Sequence, residues 1–333
     1  MKVSIFDVAK KAGLSVVTVS RVLNNAQTVR EKNRQKVLQA MKELDYHPNA
    51  AARSLAKGKT GVIGMIVTTL QDSFLDSIVQ TVSSLLKDHG YYLALSVANY
   101  PQEEGVGRDF IEEDRVDGLL LLSPIHELSY LTELRNRNIP FVLIDHQTVQ
   151  PDVHGVTVDN YSGGYEATRH LVELGHRSIA HIQGPGFFLS SIERERGFRQ
   201  ALEEAGLEPF AVEPGEFSIE SGYQAVRQWL DQGQLPTALF AADDFTALGA
   251  INALTEAGLR VPEHMSIVGY DDQVLASELR PRLTTMRQPA EQIGKAAVDM
   301  LVKQMNGVSL TNRTVRLNSE IIVRESTAAP QSQ

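Results

Sequence analysis

The sequence predicts a molecule in two parts: a small all-α head at the amino terminus, then an α/β core of two doubly wound parallel-sheet subdomains. Three observations predict it. Over residues 1–47, apolar side chains recur every three or four positions in three short runs. From Thr60 onward, short apolar runs alternate with amphipathic stretches, the pattern of strands joined by crossover helices. The charge is also divided. Residues 1–60 hold twelve Lys and Arg against four Asp and Glu, or +8, and residues 61–333 hold 20 against 37, or −17, within a net charge of −9.

Size and composition narrow the classes. A chain of 333 residues with 42% hydrophobic and 22% charged side chains has material for two or three cores. No apolar run approaches the roughly 18 residues of a membrane-spanning helix. The opening Met1-Lys2-Val3-Ser4-Ile5-Phe6-Asp7 lacks the apolar stretch of an export signal, so a cytoplasmic protein with no membrane partner is expected. With no cysteine there is no disulfide, thiol nucleophile or thiolate metal site.

In the head, Ile5 to Ala12 reads as a first helix, broken at Gly13-Leu14. Ser15 is a good N-cap for a second helix running to about Asn24, with Val19, Val22 and Leu23 on one face. Thr28-Val29-Arg30-Glu31 has the spacing of a capping box for a third helix, whose stripe is Val37, Met41 and Leu44. The second helix carries chemistry. Val17 lies off its core face, and Val16 either fills the core beside Val19 or shares that outward role. In a major groove such valines touch thymine methyls, Arg21 donates to a guanine edge or a phosphate, and Ser15, Thr18 and Ser20 bond phosphate oxygens. A cationic head on an anionic body suits a polyanion, although a solvated basic face has the same composition.

Residues 48–57, Ala-rich and followed by Gly58, are good helix formers but too few for a helix stable alone, so either a helix that orders on a partner or a plain linker is expected. Strands are expected at Val62 to Val67, Leu93 to Val97, Gly118 to Leu122, Phe141 to Ile144, Ile179 to Ile182, Ala238 to Ala241 and Ser266 to Gly269. Intervening helices end at Gly90, Gly175, Gly206, Gly258 and Gly307, and the pattern resets near Asp159 to Tyr161. Gly105 and Gly107 make the element over Gln102 to Val116 irregular. In such open sheets ligands bind beyond the carboxyl ends of strands. Asp145, Asp243 and Asp271 stand there, and Arg194 lies early in a helix. Carboxylates and a guanidinium suit hydroxyls, while Phe74, Phe187, Phe188 and Phe245 can cover an apolar sugar face. Asp244 and Asp272 are expected to cap the helices that follow them.

The ordered run Asp7-Val8-Ala9, Ala12-Gly13-Leu14-Ser15, Thr18-Val19-Ser20-Arg21-Val22-Leu23-Asn24 and Tyr46-His47-Pro48-Asn49 resembles the LacI/GalR family of regulators. The resemblance implies a helix-turn-helix in the major groove, a DNA-facing set of Ser4, Ser15, Val16, Val17, Thr18, Ser20, Arg21, Asn24, Thr28, Arg30, Tyr46, Asn49, Ala52, Arg53 and Leu55, and a hinge helix that pushes Leu55 into the minor groove. Arg30 stands where the family usually has a Ser or Thr cap. Over the whole chain the resemblance implies a periplasmic-binding-protein-like core, with helix Pro289 to Asn306 returning to the first subdomain and the last strand to the second. The implied division is 1–47 head, 48–59 hinge, 60–159 with 289–318 first subdomain, 160–288 with 319–327 second subdomain, and 328–333 tail. Arg194 and Asp271 match the family's effector-binding pair. The effector-facing set is Phe74, Asp145, Arg194, Asp243, Phe245 and Asp271, and the departure is Asp243, where many members carry Asn.

No nucleophile elbow, phosphate loop, dinucleotide fingerprint or metal-binding His-Glu-x-x-His occurs, so neither an enzyme nor a cofactor or metal is expected, and His176 is assigned a structural turn. The reading is a homodimeric repressor of carbohydrate uptake or catabolism genes, on a pseudo-palindromic double-stranded operator, controlled by a sugar-like effector. A global regulator answering to a phosphorylated carrier protein remains the alternative, as does a sugar-binding protein without DNA function.

Overall fold

The computed structural model describes residues 3–23, 26–47, 58–70, 72–98, 110–111, 115–124, 127–147, 153–310 and 313–331. Asn24, Asn49, Ala52, Arg53 and Leu55 lie outside them, as does most of the segment over Gln102 to Val116. The chain divides into two compact units, residues 1–61 and 62–333.

The first unit holds α1 (Ile5–Ala12), α2 (Val16–Leu23) and α3 (Glu31–Glu43). Their apolar stripes close one core around Val8, Ala9, Val19, Val22, Val37 and Ala40. The Asp7 carboxylate accepts from the Ser4 amide and hydroxyl at 2.9 and 2.7 Å, fixing the entry to α1. Gly13, at φ 64°, ends α1 in the left-handed conformation that glycine adopts without a Cβ penalty. One expectation fails. α3 starts at Glu31 with Arg30 in the cap position and no side-chain cap, so Thr28 and Glu31 form no capping box. Arginine has only donors and cannot accept from the helix amides. Arg34 instead ties the preceding turn by donating to the Ala26 carbonyl at 2.9 Å.

The second unit contains two six-stranded sheets. The first comprises β1 (Val62–Val67), β2 (Tyr92–Val97), β3 (Gly118–Leu122), β4 (Phe141–Ile144), β5 (Gly155–Val158) and β11 (Thr314–Leu317), ordered β11-β5-β4-β3-β1-β2 and parallel throughout. The second comprises β6 (Ile179–Ile182), β7 (Val212–Glu213), β8 (Ala238–Ala241), β9 (Ser266–Asp271), β10 (Thr284–Arg287) and β12 (Glu320–Ile322), ordered β12-β10-β9-β8-β6-β7. There β12 runs antiparallel to β10, an edge strand on an otherwise parallel sheet.

Both faces of each sheet are covered. On the first sheet, α4 (Ser73–Asp88) and α11 (Ala290–Met305) bury Ile78, Val82, Ala297 and Leu301 against Ile63 and Met65, and α5 (Glu127–Asn136) covers the other face through Leu131 and Leu134. On the second, α8 (Ile219–Asp231) and α9 (Asp244–Glu256) cover one face, while α6 (Asn160–Glu173) and α7 (Leu189–Glu204) cover the other; the short α10 (Val274–Glu278) packs Ala276 beside α8 and α9. Strands buried on both faces explain near-continuous apolar runs such as Gly118-Leu119-Leu120-Leu121-Leu122.

Helices α6 and α7 approach closely through paired glycines. A Cβ on Gly164 would stand 2.2 Å from the Arg194 carbonyl oxygen, and one on Gly197 would stand 2.1 Å from that of Tyr161. Backbone carbonyls cannot swing aside. Gly164→Ala is therefore expected to cost at least the roughly 1–3 kcal/mol of an overpacked core and to displace α7, which carries Arg194. Urea unfolding should show a lower midpoint at unchanged slope.

His176 bridges two segments, with Nδ1 at 3.0 Å from the Thr237 hydroxyl and Nε2 at 2.9 Å from the Ala328 carbonyl oxygen. Among the described residues no helix is long and apolar enough to cross a membrane.

Candidate functional site

In the head, the α2 N-terminus is built by Ser15, whose hydroxyl accepts the Thr18 amide at 3.2 Å. Val19 and Val22 are buried, which turns Val17 and Arg21 outward; Val17 is 60% exposed. Val16 is half-buried and packs against the head core, so Val17 alone of the two is fully presented. Thr18 and Ser20 are half-buried beside them, while Thr28 and Arg30 are exposed on the turn before α3. Tyr46 packs against the head core, and Ser4 is engaged with Asp7. This helix face presents a methyl-bearing side chain, hydroxyls and a guanidinium, the groups that meet base edges and phosphates.

In the second unit, a cavity of about 900 Å³ opens beyond the carboxyl ends of the strands of both sheets. Thr68 and Thr69 follow β1, Ser123 follows β3, Asp145 follows β4, Asp243 stands just past β8, and Asp271 ends β9. All six residues expected to face an effector, namely Phe74, Asp145, Arg194, Asp243, Phe245 and Asp271, line this one cavity. Phe188 and Phe217 line it too, whereas Phe187 is not among its walls and packs its ring 4.6 Å from that of Phe188.

Arg194 is buried and held on every side. Its Nε donates to Asn160 Oδ1 at 2.9 Å, Nη1 to the Ala242 carbonyl at 2.6 Å, and Nη2 lies 3.6 Å from Asp271 Oδ1. The guanidinium stacks 3.6 Å from the Tyr270 ring centroid, a cation–π contact in a desolvated place. Asp271 also accepts from Gln288 at 2.6 Å, and Asp145 accepts from Ser123 at 3.0 Å. Ser123, Asp145, Phe217 and Asp271 all have positive φ, at 48°, 53°, 51° and 102°. Such backbone is costly for non-glycine residues and concentrates where side chains are aimed at a ligand.

The electrostatics are one-sided. Burial raises the Asp145 and Asp271 carboxyls above the usual range, with Arg194 pulling both back. Burial and Asp271 push Asp243 up to about 6 and Asp72 up to about 7. Carboxylates that outnumber the single guanidinium favour hydrogen-bond donors such as hydroxyls and disfavour anions.

Two expected caps are corrected. Asp243, not Asp244, caps α9, accepting the Thr246 amide at 2.9 Å. Asp244 is the first helical residue, fully buried, and accepts from Thr285 at 2.6 Å and from the Gln273 amide at 2.7 Å. Gln273 occupies the cap of α10, and Asp272 pairs with Arg287 and Arg324 at 2.7 and 2.6 Å. Asp243 caps because its backbone is extended, at φ −150°, whereas Asp271 and Asp272 both have positive φ and leave the cap to extended Gln273.

Sequence reasoning missed Asp72, Ser123, Phe217 and Gln288 among the walls. Asp72 was accessible to it: an aspartate after β1 and immediately before a helix obeys the rule that selected Asp145 and Asp243. Gln288 follows β10, a strand too short and polar to be expected.

A model of bacterial regulatory proteins of the lacI family matches residues 4–49, and one of a periplasmic binding protein-like domain matches residues 168–327. The chain is 38% identical to the HTH-type transcriptional repressor PurR of Edwardsiella ictaluri (strain 93-146), over 98% of this chain and 97% of that one. Among solved structures it is similar to the Lac repressor dimer bound to operator and the anti-inducer ONPF, with 32% identity, a TM-score of 0.88, and coverage of 99% of this chain and 100% of that one. It is also similar to the transcriptional regulator CelR in complex with cellobiose, with 33% identity, a TM-score of 0.75, and coverage of 98% and 100%. With likeness of this degree running almost end to end and taking in both the helical head and the two-sheet core, the chain belongs to the lacI family of bacterial regulatory proteins: it is a DNA-binding transcriptional regulator and not an enzyme.

Proposed function

We propose that the protein is a homodimeric repressor of carbohydrate uptake or catabolism genes, released from or bound to a pseudo-palindromic operator according to a neutral, sugar-like effector in the 900 Å³ cavity. The observation that carries the effector class is the wall composition: Asp145, Asp243 and Asp271 around a single Arg194, with Phe74, Phe188 and Phe245 as apolar faces. Each of these carboxylates accepts a hydrogen bond from the protein, at Ser123, Thr246 and Gln288, and hydroxyl pairs can donate to the acceptor capacity that remains, while ring faces cover C–H surface. The complex of the similar regulator CelR with cellobiose supports the same class. α2 is assigned to the major groove with Val17 and Arg21 on bases, and Ser15, Thr18 and Ser20 on phosphates. Two-fold symmetry of a dimer, as in the operator-bound Lac repressor dimer, fits two half-sites.

The relatives named PurR support a second reading, a flat purine-like effector stacked between the phenylalanines. One experiment separates the two. Footprinting of DNA upstream of the chain's own gene, repeated with mono- and disaccharides, sugar phosphates and purine bases, is expected to show a pseudo-palindromic site whose occupancy one neutral sugar alters. A response to a purine base alone selects the second reading, and no specific footprint overturns the repressor assignment.

A further inference from the structure

Asp72, ahead of α4, and Asp271, at the end of β9, line the cavity from its two sides, and the residues that follow them meet. Asp72 caps α4, accepting the Phe74 amide at 2.8 Å. Ser73 reaches across: its hydroxyl lies 3.4 Å from Gln273 Oε1 and accepts the Val274 amide at 3.3 Å. These are hydrogen bonds between halves of the molecule that are 200 residues apart in sequence. The Asp72 carboxyl shares this cavity with Asp271 and Asp243 of the second sheet, whose like charges act on it. The contact is thus a latch made beside like charges.

We propose that Asp72 makes closure of the effector cleft proton-dependent: with a proton on the carboxyl, the Ser73–Gln273–Val274 latch holds, and with the carboxylate ionised, repulsion from Asp271 and Asp243 loosens it. This regulation concerns the effector cavity described above but does not depend on what fills it.

The surroundings bear on the charge balance from every side. From the second sheet, Asp271 and Asp243 face Asp72, and buried Asp244 stands behind both. Arg194 is the nearby cation, but it is committed to Asp271, Asn160 and the Ala242 carbonyl. On the first-sheet side, Asp145 is turned to Ser123, and His146 acts on Asp145. Glu216 also lines the cavity, and Asp76 on α4 itself is exposed. Burial, with Asp271 next, raises the Asp72 carboxyl to about 7, against the Phe74 and Leu75 amides that favour the anion. The folded protein therefore holds this proton where the unfolded chain has lost it. Stability through Asp72 falls as pH rises from the ordinary carboxylate range to about 7, and is flat above it.

Asp72→Asn tests this cleanly, since asparagine caps a helix as well as aspartate and cannot ionise. With the full chain, free of ligand, two readouts are compared between pH 5 and pH 8. The first is the thermal midpoint, where the advantage of Asp72→Asn over the wild type is expected to grow by several degrees as pH rises. The second is amide exchange over residues 272–276, corrected for intrinsic rate. Protection at Val274 is expected to fall severalfold with rising pH in the wild type and to stay level in Asp72→Asn, and Ser73→Ala should be unprotected at both pH values. Wild-type protection that does not change with pH, or the same pH response in Asp72→Asn, overturns the proposal. Because no effector is added, either result stands apart from the sugar reading.

Discussion

Arg194→Ala is expected to abolish the response to the effector and to destabilise the core. The guanidinium is the cation that holds Asp271, and it also occupies Asn160 Oδ1 and the Ala242 carbonyl. Its removal leaves the buried Asp271 carboxyl without its cation, with Gln288 still donating to it, and takes the arginine donor from the Asn160 amide oxygen and the Ala242 carbonyl. Breaking a buried pair in this way costs about 3–5 kcal/mol. For a unit of this size that corresponds to a loss of roughly ten degrees in thermal midpoint. Lysine should not rescue it, because a point charge supplies neither the forked geometry nor the stacking on Tyr270. The effector that alters the footprint of the wild type should leave that of Arg194→Ala unchanged, with operator affinity in its absence retained wherever the variant remains folded. A variant that responds to the effector with wild-type affinity would show that the cavity is misassigned.

Arg21→Ala is expected to do the reverse. Arg21 is exposed on α2, and among the described residues no hydrogen bond engages its side chain, so its loss should leave the fold intact. A base-edge contact is worth about 1–3 kcal/mol, or roughly five- to 150-fold in operator affinity, and it relaxes preference at one base pair. If Arg21 meets phosphate instead, affinity falls similarly on all sequences and the salt slope drops by about one. Fluorescence anisotropy on operator and scrambled duplexes at two salt concentrations distinguishes the two. Equal affinity of variant and wild type on the operator at both salts would remove α2 from the interface.

Much of this was legible from sequence because it rests on periodicity. Most of the strands that were read, such as Val62 to Val67 and Gly118 to Leu122, are apolar runs buried on both faces, and the edge strand β2 was read from its apolar run although it is only partly buried. β5, β7, β10 and β11 were not read, being two to four residues long and mixed in polarity, and β12 was expected only through the family resemblance, as the last strand returning to the second subdomain. β7, β11 and β12 also lie at sheet edges, where one side is free of pairing and the demand for apolar residues is weaker. The antiparallel sense of β12 depends on how the chain returns after β11, which no local pattern encodes.

The site divides in the same way. Asp145, Asp243 and Asp271 could be found because each follows a readable strand. The distinction between Asp243 and Asp244 could not, since it turns on one residue of strand length. Arg194's hold on Asn160, Ala242 and Tyr270 is also invisible in sequence, because those partners lie 34, 48 and 76 positions away and meet only when α6, α7, β8 and β9 are packed. Arg30 shows the opposite failure: Thr28 and Glu31 had the right spacing, but the turn held by Arg34 on the Ala26 carbonyl starts the helix later.

Operator affinity with and without the effector tests most directly whether the cavity and the head are coupled. Titration of the full chain onto its operator, first alone and then saturated with the effector that alters the footprint, is expected to differ by about five- to 150-fold, with the operator changing the affinity for that effector by the same factor. Identical operator affinity with the cavity filled and empty would contradict that coupling, leaving a DNA-binding head and a ligand-binding core that do not communicate.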